Sequence, residues 1–276
     1  MCADDAGAVN LCSRLARGAR ICERVAVVAA HPDDEIVSLG GTLHRFSRLH
    51  LVHVTDGAPR DLEDARREGL STCLDYASAR QRELREALDA AGVQPSQQLC
   101  LEAPDKQSAE RLQQITEWLL PVLGHSDVVI THPYEQGHPD HDSAAFAVHA
   151  ACALLRRAGA SVPIMLEFPS YHMARGQLRF GEFWRDAECP ETLIPLSRPA
   201  LGRKAAARNC FRTQRAVLAN FPLAAERIRV APRYHFAGCA PPRASFYDRL
   251  GWCMTSDRWR AFASQAAHAL RVPDVL

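Results

Sequence analysis

Apolar and polar positions alternate along the chain in a way that predicts strands followed by helices. Short, mainly apolar runs predict strands at 23–30, 49–55, 98–102, 127–131 and 162–168. Helical spacing of the apolar residues between these runs predicts helices at 36–46, at 79–91, from Ser108 onward, and at 143–157. Because strands and helices alternate, we expect an α/β fold with a mostly parallel sheet and right-handed crossovers.

The two ends of the chain follow a different pattern. Residues 1–22 resemble a leader segment that contains an amphipathic helix, whereas the region after Pro169 is rich in proline and predicts helices at 202–218 and 257–270. We therefore expect a single domain at 23–276, with 170–276 as a C-terminal extension packed on it.

Composition excludes several classes of protein. The 276 residues include 33 basic and 32 acidic side chains, a balance that argues against a nucleic-acid binder or a polybasic membrane binder. No run of 18 apolar residues predicts a transmembrane segment, and the N-terminus does not resemble a signal peptide. The ten cysteines are scattered without a C-x-x-C pair, which favours reduced core thiols and a cytoplasmic protein. The sequence does not predict an oligomeric state.

The first chemical motif is Ala30-His31-Pro32-Asp33-Asp34-Glu35, which follows the apolar run 25–29. Its side chains would lie at the carboxyl end of a buried strand, where open α/β sheets build their sites. Desolvated carboxylates need a partner, and a metal ion is the simplest one. We therefore expect His31 and Asp34 to hold a divalent metal, with Asp33 as a base beside it. The alternative is that Asp34 only caps the next helix.

The second motif, His138-Pro139-Asp140-His141, follows the strand predicted at 127–131. Its two histidines are three residues apart at the start of a helix, at the same edge of the sheet as His31. Catalytic zinc sites take three protein ligands and leave one position for water. His31, Asp34 and either His138 or His141 would supply this set, although such ligands also accept iron, cobalt or manganese.

Together the two motifs resemble those of the LmbE-like, or PIG-L, family of zinc-dependent N-deacetylases, over about residues 23–170. The resemblance implies a Rossmann-like sheet with helices on both faces. It also implies Zn²⁺-assisted removal of an acetyl group from an N-acetylglucosamine-type sugar or sugar conjugate, with Fe²⁺ as another possible metal. The expected partner is thus a small N-acetylated sugar, without nucleic acid.

By position, the resemblance assigns the metal ligands to His31, Asp34 and His141, and the general base to Asp33. His138 would stabilise the tetrahedral intermediate as a protonated imidazole. Asp140 would polarise His138, and either Asp140 or Asp142 would raise the pKa of His138 by opposite charge.

The resemblance also assigns two substrate contacts. Arg80, in Arg80-Gln81-Arg82-Glu83, would contact the substrate, and Asp105 would bind sugar hydroxyls. Some sugar-thiol members place a mobile tyrosine two residues before the first of the later histidines. Here Gln136 holds that position and Tyr134 is the nearest tyrosine, so the chain departs from that pattern.

Three other functions are considered. One is an amidase of the same fold that cleaves a non-sugar or thiol-conjugate amide. A second is a nucleotide-binding module, which the absence of a G-x-G-x-x-G after the first strand disfavours. A third is a non-catalytic sugar-binding remnant, against which the intact Asp33 argues.

A few residues beside the motifs receive weaker assignments. His132 is a candidate for supporting the metal ligands, and residues 168–172 are candidates for shaping the acceptor pocket. Glu35 is expected to favour the helix dipole, His53 to pack inside its strand, and the arginines of 202–218 to lie on a solvated face.

Overall fold

A computed structural model of the chain describes residues 3–238 and 245–276. Within these residues, the strands are β1 (Ile21–Ala29), β2 (Phe46–Pro59), β3 (Gln97–Asp105), β4 (Val128–Thr131), β5 (Ile164–Glu167), β6 (Tyr171–Ala174), β7 (Gln177–Phe180), β8 (Glu191–Pro195) and β9 (Ala225–Val230). The helices are α1 (Ala3–Ala16), α2 (Asp34–Leu39), α3 (Glu63–Arg67), α4 (Cys73–Ala91), α5 (Leu112–Gly124), α6 (Pro139–Arg157), α7 (Arg198–Cys210), α8 (Arg215–Leu218) and α9 (Ser256–Leu270).

Seven strands form one mixed sheet in the order β3-β2-β1-β4-β5-β9-β8. The five strands from β3 to β5 are parallel, and β9 and β8 continue the sheet in antiparallel pairing. The predicted α/β fold with a mostly parallel sheet is therefore confirmed. The chain leaves β1 toward β2 on one side and returns to β4 on the other, so the carboxyl ends of β1 and β4 form a topological switch point.

Strand β1 is buried on both faces, which explains its continuous apolar run. Val25 and Val27 pack with the helix α4 residues Leu84 and Leu88 on one face. The intervening side chains, such as Val28, pack on the other face with α5 and α6. The sheet thus carries helices on both faces, as the resemblance implied.

Several helices differ in extent from the prediction. The helix predicted at 36–46 ends at Leu39, and Gly41 then packs so closely that a Cβ atom there would lie 2.6 Å from Leu196 Cδ1. The helix predicted at 202–218 is broken between α7 and α8, because the backbone N–H groups of Arg212 and Thr213 donate to the Glu83 carboxylate instead of continuing the helix.

Both terminal regions pack on the main sheet. Leu11, Cys12 and Leu15 of α1 belong to the same core as β1, although the sequence suggested a leader there. Strands β8 and β9 extend the sheet, and α9 contacts α5 and α6. The division into 1–22, 23–276 and 170–276 stays a prediction.

The cysteines of the described residues are free thiols, of which Cys12 and Cys152 are buried. The other six described cysteines are all partly or fully exposed, so the expectation of mostly core thiols is wrong for these residues. Cys2 and Cys239 lie outside the described residues. No helix within the described residues has the length and apolar character needed to cross a bilayer.

Candidate active site

The first motif forms a tight turn between β1 and α2. The His31 carbonyl accepts hydrogen bonds from the N–H groups of Asp33 and Asp34, and the Asp34 carboxylate accepts the His31 N–H at 2.8 Å. Asp34 is the first residue of α2, and Asp33 at the cap position makes no side-chain cap bond. The alternative in which Asp34 is only a helix cap is therefore wrong, and both carboxylates are available to the site.

The second motif forms the first turn of α6, which begins four residues earlier than predicted. His138 is the cap residue, and its Nδ1 accepts the backbone N–H of Asp140 at 3.2 Å. The His31 ring lies with its centroid 4.6 Å from that of His138 and 5.2 Å from that of His141. The two motifs therefore meet at the switch point between β1 and β4.

Of the three predicted metal ligands, Asp34 lies between His31 and His141. Its Oδ2 is 3.3 Å from His31 Nδ1, and its Oδ1 is 3.3 Å from His141 Nε2. Within the described residues there are three compact groups of potential donors, in each of which one donor atom per residue lies within 4.8 Å of the others, and none of them contains the predicted set as a whole. These groups are His31-His138-His141, His31-Asp105-His138-Asp140 and Asp34-His132-His141.

The donor chemistry fits a divalent metal ion. Imidazole nitrogens and carboxylate oxygens are ordinary zinc ligands. In addition, Asp105 Oδ1 is buried without a hydrogen-bond partner among the described residues, although His31 Nε2 lies 3.4 Å away. A cluster of buried acids and imidazoles with an unsatisfied oxygen is the setting in which a cation is stabilised.

Asp33 forms an ion pair with Arg80, whereas Asp34 faces the histidines. Arg80 Nη2 donates to Asp33 Oδ2 at 2.9 Å and to the Pro32 carbonyl at 3.3 Å, and both side chains are buried. Gly57, at a φ of +66°, makes room for this contact, since a Cβ atom there would lie 3.2 Å from Arg80 Cζ. Burial raises the pKa of Asp33 to about 6, although the Arg80 cation opposes the rise.

His138 is held as a neutral imidazole. Burial, together with the neighbouring imidazoles of His31 and His141, places the pKa of His138 well below its usual range. Because Nδ1 accepts the Asp140 N–H, Nε2 is the nitrogen that carries the proton and can donate it.

Asp140 and Asp142 serve other contacts. Asp140 accepts hydrogen bonds from the Ser108 N–H and hydroxyl and from the Lys106 N–H, and its Oδ2 is nearer to His31 Nε2 (3.2 Å) than to His138 Nδ1 (3.8 Å). Asp142 accepts the N–H groups of Glu135 and Gln136 and the Tyr247 hydroxyl. The rise in the pKa of His138 that was expected from these acids does not outweigh the lowering by burial.

His132 packs directly behind the site. Its Nε2 accepts the Ala30 N–H at 3.0 Å, its Nδ1 donates to Ser170 Oγ at 2.9 Å, and its ring stacks on His141 at 4.2 Å. Burial lowers the pKa of His132 to about 4, which keeps the ring neutral. These contacts fix the position of His141, in agreement with a supporting role.

Glu35 does not point toward solvent at the start of α2. It is fully buried, and its Oε2 lies 3.1 Å from His53 Nε2 on β2. The sequence assigned Glu35 to the helix dipole and His53 to packing. Instead, the two residues form one buried pair that connects α2 to β2.

A cavity of about 760 Å³ opens above these side chains and includes Arg80 and Asp105 in its lining. The Tyr171 ring forms part of its wall, 5.2 Å from the His141 ring, and is the one residue of the segment 168–172 in the lining. Tyr134 lies elsewhere, with its hydroxyl donating to the Phe236 and Gly238 carbonyls. Further wall residues are Arg67, Lys106, Leu178, Phe180, Arg212, Arg215, Phe221, Phe246 and Trp252.

The wall formed by 212–221 was missed in the sequence. Its helical spacing predicted a continuous solvated helix, and only the contact with Glu83 turns the segment toward the cavity. No local signal in this segment identifies it as part of a site.

A model of one protein family matches residues 26–152: PIG-L, described as GlcNAc-PI de-N-acetylase. No curated protein matches the chain. Similar solved structures include the A40926 pseudoaglycone deacetylase, with 18% identity and a TM-score of 0.58 over 76% of this chain and 97% of that one. A teicoplanin deacetylase has 14% identity and a TM-score of 0.58 over 75% of this chain and 96% of that one.

The same fold also occurs in GalB, the 4-carboxy-2-hydroxymuconate hydratase from Pseudomonas putida KT2440, with 19% identity and a TM-score of 0.52 over 76% of this chain and 97% of that one. These likenesses show the fold, and a fold alone does not fix the reaction. The family match covers both motifs at the switch point. The resemblance seen in the sequence is thus confirmed, since the PIG-L, or LmbE-like, family model matches residues 26–152 of this chain.

Proposed function

We propose that this protein is a divalent-metal-dependent hydrolase that removes the acetyl group from the nitrogen of an N-acetylglucosamine-type sugar or sugar conjugate. The observation that carries the proposal is the buried Asp33 carboxylate, oriented by Arg80 beside the His31, Asp34 and His141 cluster on a cavity floor. The family description, GlcNAc-PI de-N-acetylase, and the two deacetylases of the same fold support this reaction.

In this proposal His31, Asp34 and His141 hold the metal, and His138 is left free. Zn²⁺ bound there would supply a Lewis acid that polarises the acetyl carbonyl and lowers the pKa of water to about 7. The same donors accept Fe²⁺, so the choice of metal depends on its supply in the cell.

Asp33 would act as the general base. With a pKa of about 6 it is mostly ionised at neutral pH, yet basic enough to accept a proton from the attacking water. As the carbon–nitrogen bond breaks, Asp33 would return this proton to the departing amine, and acetate would leave. Arg80 would hold the carboxylate in place throughout.

His138 would stabilise the developing oxyanion as a neutral Nε2–H donor rather than as an imidazolium. The depressed pKa and the Nδ1 hydrogen bond both favour this form. A preorganised donor of this kind is worth about 3 kcal/mol of transition-state stabilisation in comparable sites.

The substrate pocket has the size of a small-molecule site, since ligand pockets typically enclose about 300–1,000 Å³. Asp105, which lines the cavity beside the proposed metal ligands, would bind a sugar hydroxyl. The proposal also includes a cytoplasmic location and a small N-acetylated sugar as the binding partner.

Acetate release from a panel of N-acetylglucosamine glycosides, N-acetyl amino acids and thiol-conjugate amides tests the proposal. We expect acetate only from the sugars, loss of release after chelation, and recovery when zinc is added back. Hydrolysis restricted to the non-sugar amides would instead identify the amidase alternative. Equal release with and without chelator would rule out the metal-dependent reaction.

A further inference from the structure

A two-stranded ribbon, β6 paired with β7, separates two cavities. Its register places Tyr171 opposite Phe180 and His172 opposite Arg179. Neighbouring residues of a strand point to opposite faces. Accordingly, Tyr171 and Phe180 line the candidate active site, whereas His172 and Arg179 line a second cavity of about 490 Å³, here called the ribbon cavity.

The ribbon cavity is rich in positive charge. Arg175, Arg179 and Arg185 line it, against one acidic residue, Glu182. Among the described residues, Arg179 donates only to Gln177 Oε1, and neither Arg175 nor Arg185 forms a hydrogen bond or an ion pair. Guanidinium groups with unused donors are suited to binding phosphate or carboxylate groups in a bidentate manner.

His172 is the buried polar residue in the lining of the ribbon cavity, and the Glu135 carboxylate lies behind it. His172 is only 3% exposed, and its Nδ1 lies 3.6 Å from Glu135 Oε2. Neither of these two atoms has a hydrogen-bond partner among the described residues. Since Nδ1 faces Glu135, Nε2 is the ring nitrogen left for a ligand.

Aromatic side chains complete the wall. The Trp184 ring meets the His172 ring edge to face at 5.9 Å, and Arg229 packs over the Phe183 ring at 4.3 Å from its centroid. The cavity therefore offers an apolar surface beside the three arginines, which suits an anion attached to an organic group.

We propose that the ribbon cavity is a second ligand site, which binds a small organic anion bearing a phosphate or carboxylate group. The arginines bind the anionic group, and His172 Nε2 and the Trp184 ring contact the rest of the molecule. The site is separated from the candidate metal site by the ribbon, and it stands whether or not the protein is a deacetylase.

Isothermal titration calorimetry of the full chain with phenyl phosphate, benzoate and neutral benzyl alcohol tests this site. We expect binding of at least one anion and none of the alcohol, and the preferred anion identifies the class of ligand. The double variant Arg175→Ala/Arg179→Ala should bind the anion more weakly, by about tenfold or more, because it removes charge-assisted hydrogen bonds. The matched control Arg111→Ala/Arg198→Ala, which removes the same charge at exposed positions outside both cavities, should bind as the wild type does.

Circular dichroism and Tm establish that each variant is folded. If the double variant does not fold, Arg185→Gln serves in its place. Absence of binding by both anions overturns the proposal. So does undiminished binding in a folded variant of the ribbon cavity, because the anion would then lie at another site.

Discussion

Arg80 donates a hydrogen bond across 2.9 Å to Asp33, and both residues are buried at the floor of the candidate active site. The sequence resemblance assigned Arg80 to substrate contact and Asp33 to catalysis. Three residues further along the same helix, Glu83 accepts hydrogen bonds from Arg212 and Thr213 in the cavity wall. The Arg-x-x-Glu pattern on α4 thus orients the proposed base with one residue and fixes the cavity wall with the other.

Arg80→Lys separates the two roles considered for this arginine. If Arg80 positions Asp33, the point charge of lysine will not reproduce the guanidinium geometry, and kcat should fall about tenfold or more with little change in KM. If Arg80 mainly contacts the substrate, KM should rise while kcat stays near the wild-type value. Steady-state kinetics on a substrate identified by the acetate assay distinguishes these results.

Asp33→Asn should retain the metal and lose most of its turnover. An amide cannot accept the proton of the attacking water, and loss of a general base typically costs about 100- to 10,000-fold in rate. Metal content and acetate release should be measured on the same preparation, with exposed Asp89→Asn as the control. A metal-loaded Asp33→Asn protein with near-native turnover would show that another residue is the base.

His141→Ala and His138→Ala should differ in their metal content. His141 Nε2 lies beside Asp34 and is proposed as a ligand, whereas His138 is proposed as a hydrogen-bond donor. Elemental analysis should find little metal in purified His141→Ala and normal metal in His138→Ala. The reverse outcome would exchange the two assignments, and metal loss in both would favour the compact group of His31, His138 and His141.

Glu83→Gln should loosen the cavity wall while the proposed metal ligands stay in place. The carboxylate accepts the Arg212 and Thr213 N–H groups and the Thr213 hydroxyl, and losing such bonds to a buried charge costs about 1–3 kcal/mol of unfolding free energy. We expect a lower Tm and a severalfold higher KM at normal metal content. Glu86→Gln is the matched control, because Glu86 also pairs with Arg212 but at an exposed position. Equal effects of both variants would contradict the assignment.

His149→Phe should reduce the loss of stability in acid. His149 is buried against the Tyr234 and Phe236 rings, and burial lowers its pKa from 6.5 to about 4. Between these values the unfolded chain binds more protons than the folded one, so the free energy of unfolding falls as the pH decreases. From about pH 7 to about pH 5 this histidine accounts for about 2 kcal/mol of the fall.

Denaturant unfolding at the two pH values measures this difference. The variant should lose about 2 kcal/mol less than the wild type on acidification, and exposed His268→Gln should behave as the wild type does. An unchanged pH dependence in His149→Phe would mean that His149 is not a neutral buried residue in the folded protein.

The sequence by itself determined the fold class and the parts of the site that follow strands. A strand buried on both faces is a continuous apolar run, so β1 and the residues after it were readable without any distant contact. Parallel strands bring their carboxyl ends to one edge, so the meeting of His31 with His138 and His141 followed from the order of the elements.

Only the tertiary structure decided which groups these side chains face. The neutral state of His138, the turn of Asp140 toward His31 and the pairing of Arg80 with Asp33 depend on burial and on contacts between distant segments. The break between α7 and α8 likewise exists because Glu83, far away in sequence, accepts hydrogen bonds that a helix would otherwise use. A local pattern of apolar residues carries no record of such contacts, because they form only when the chain has folded.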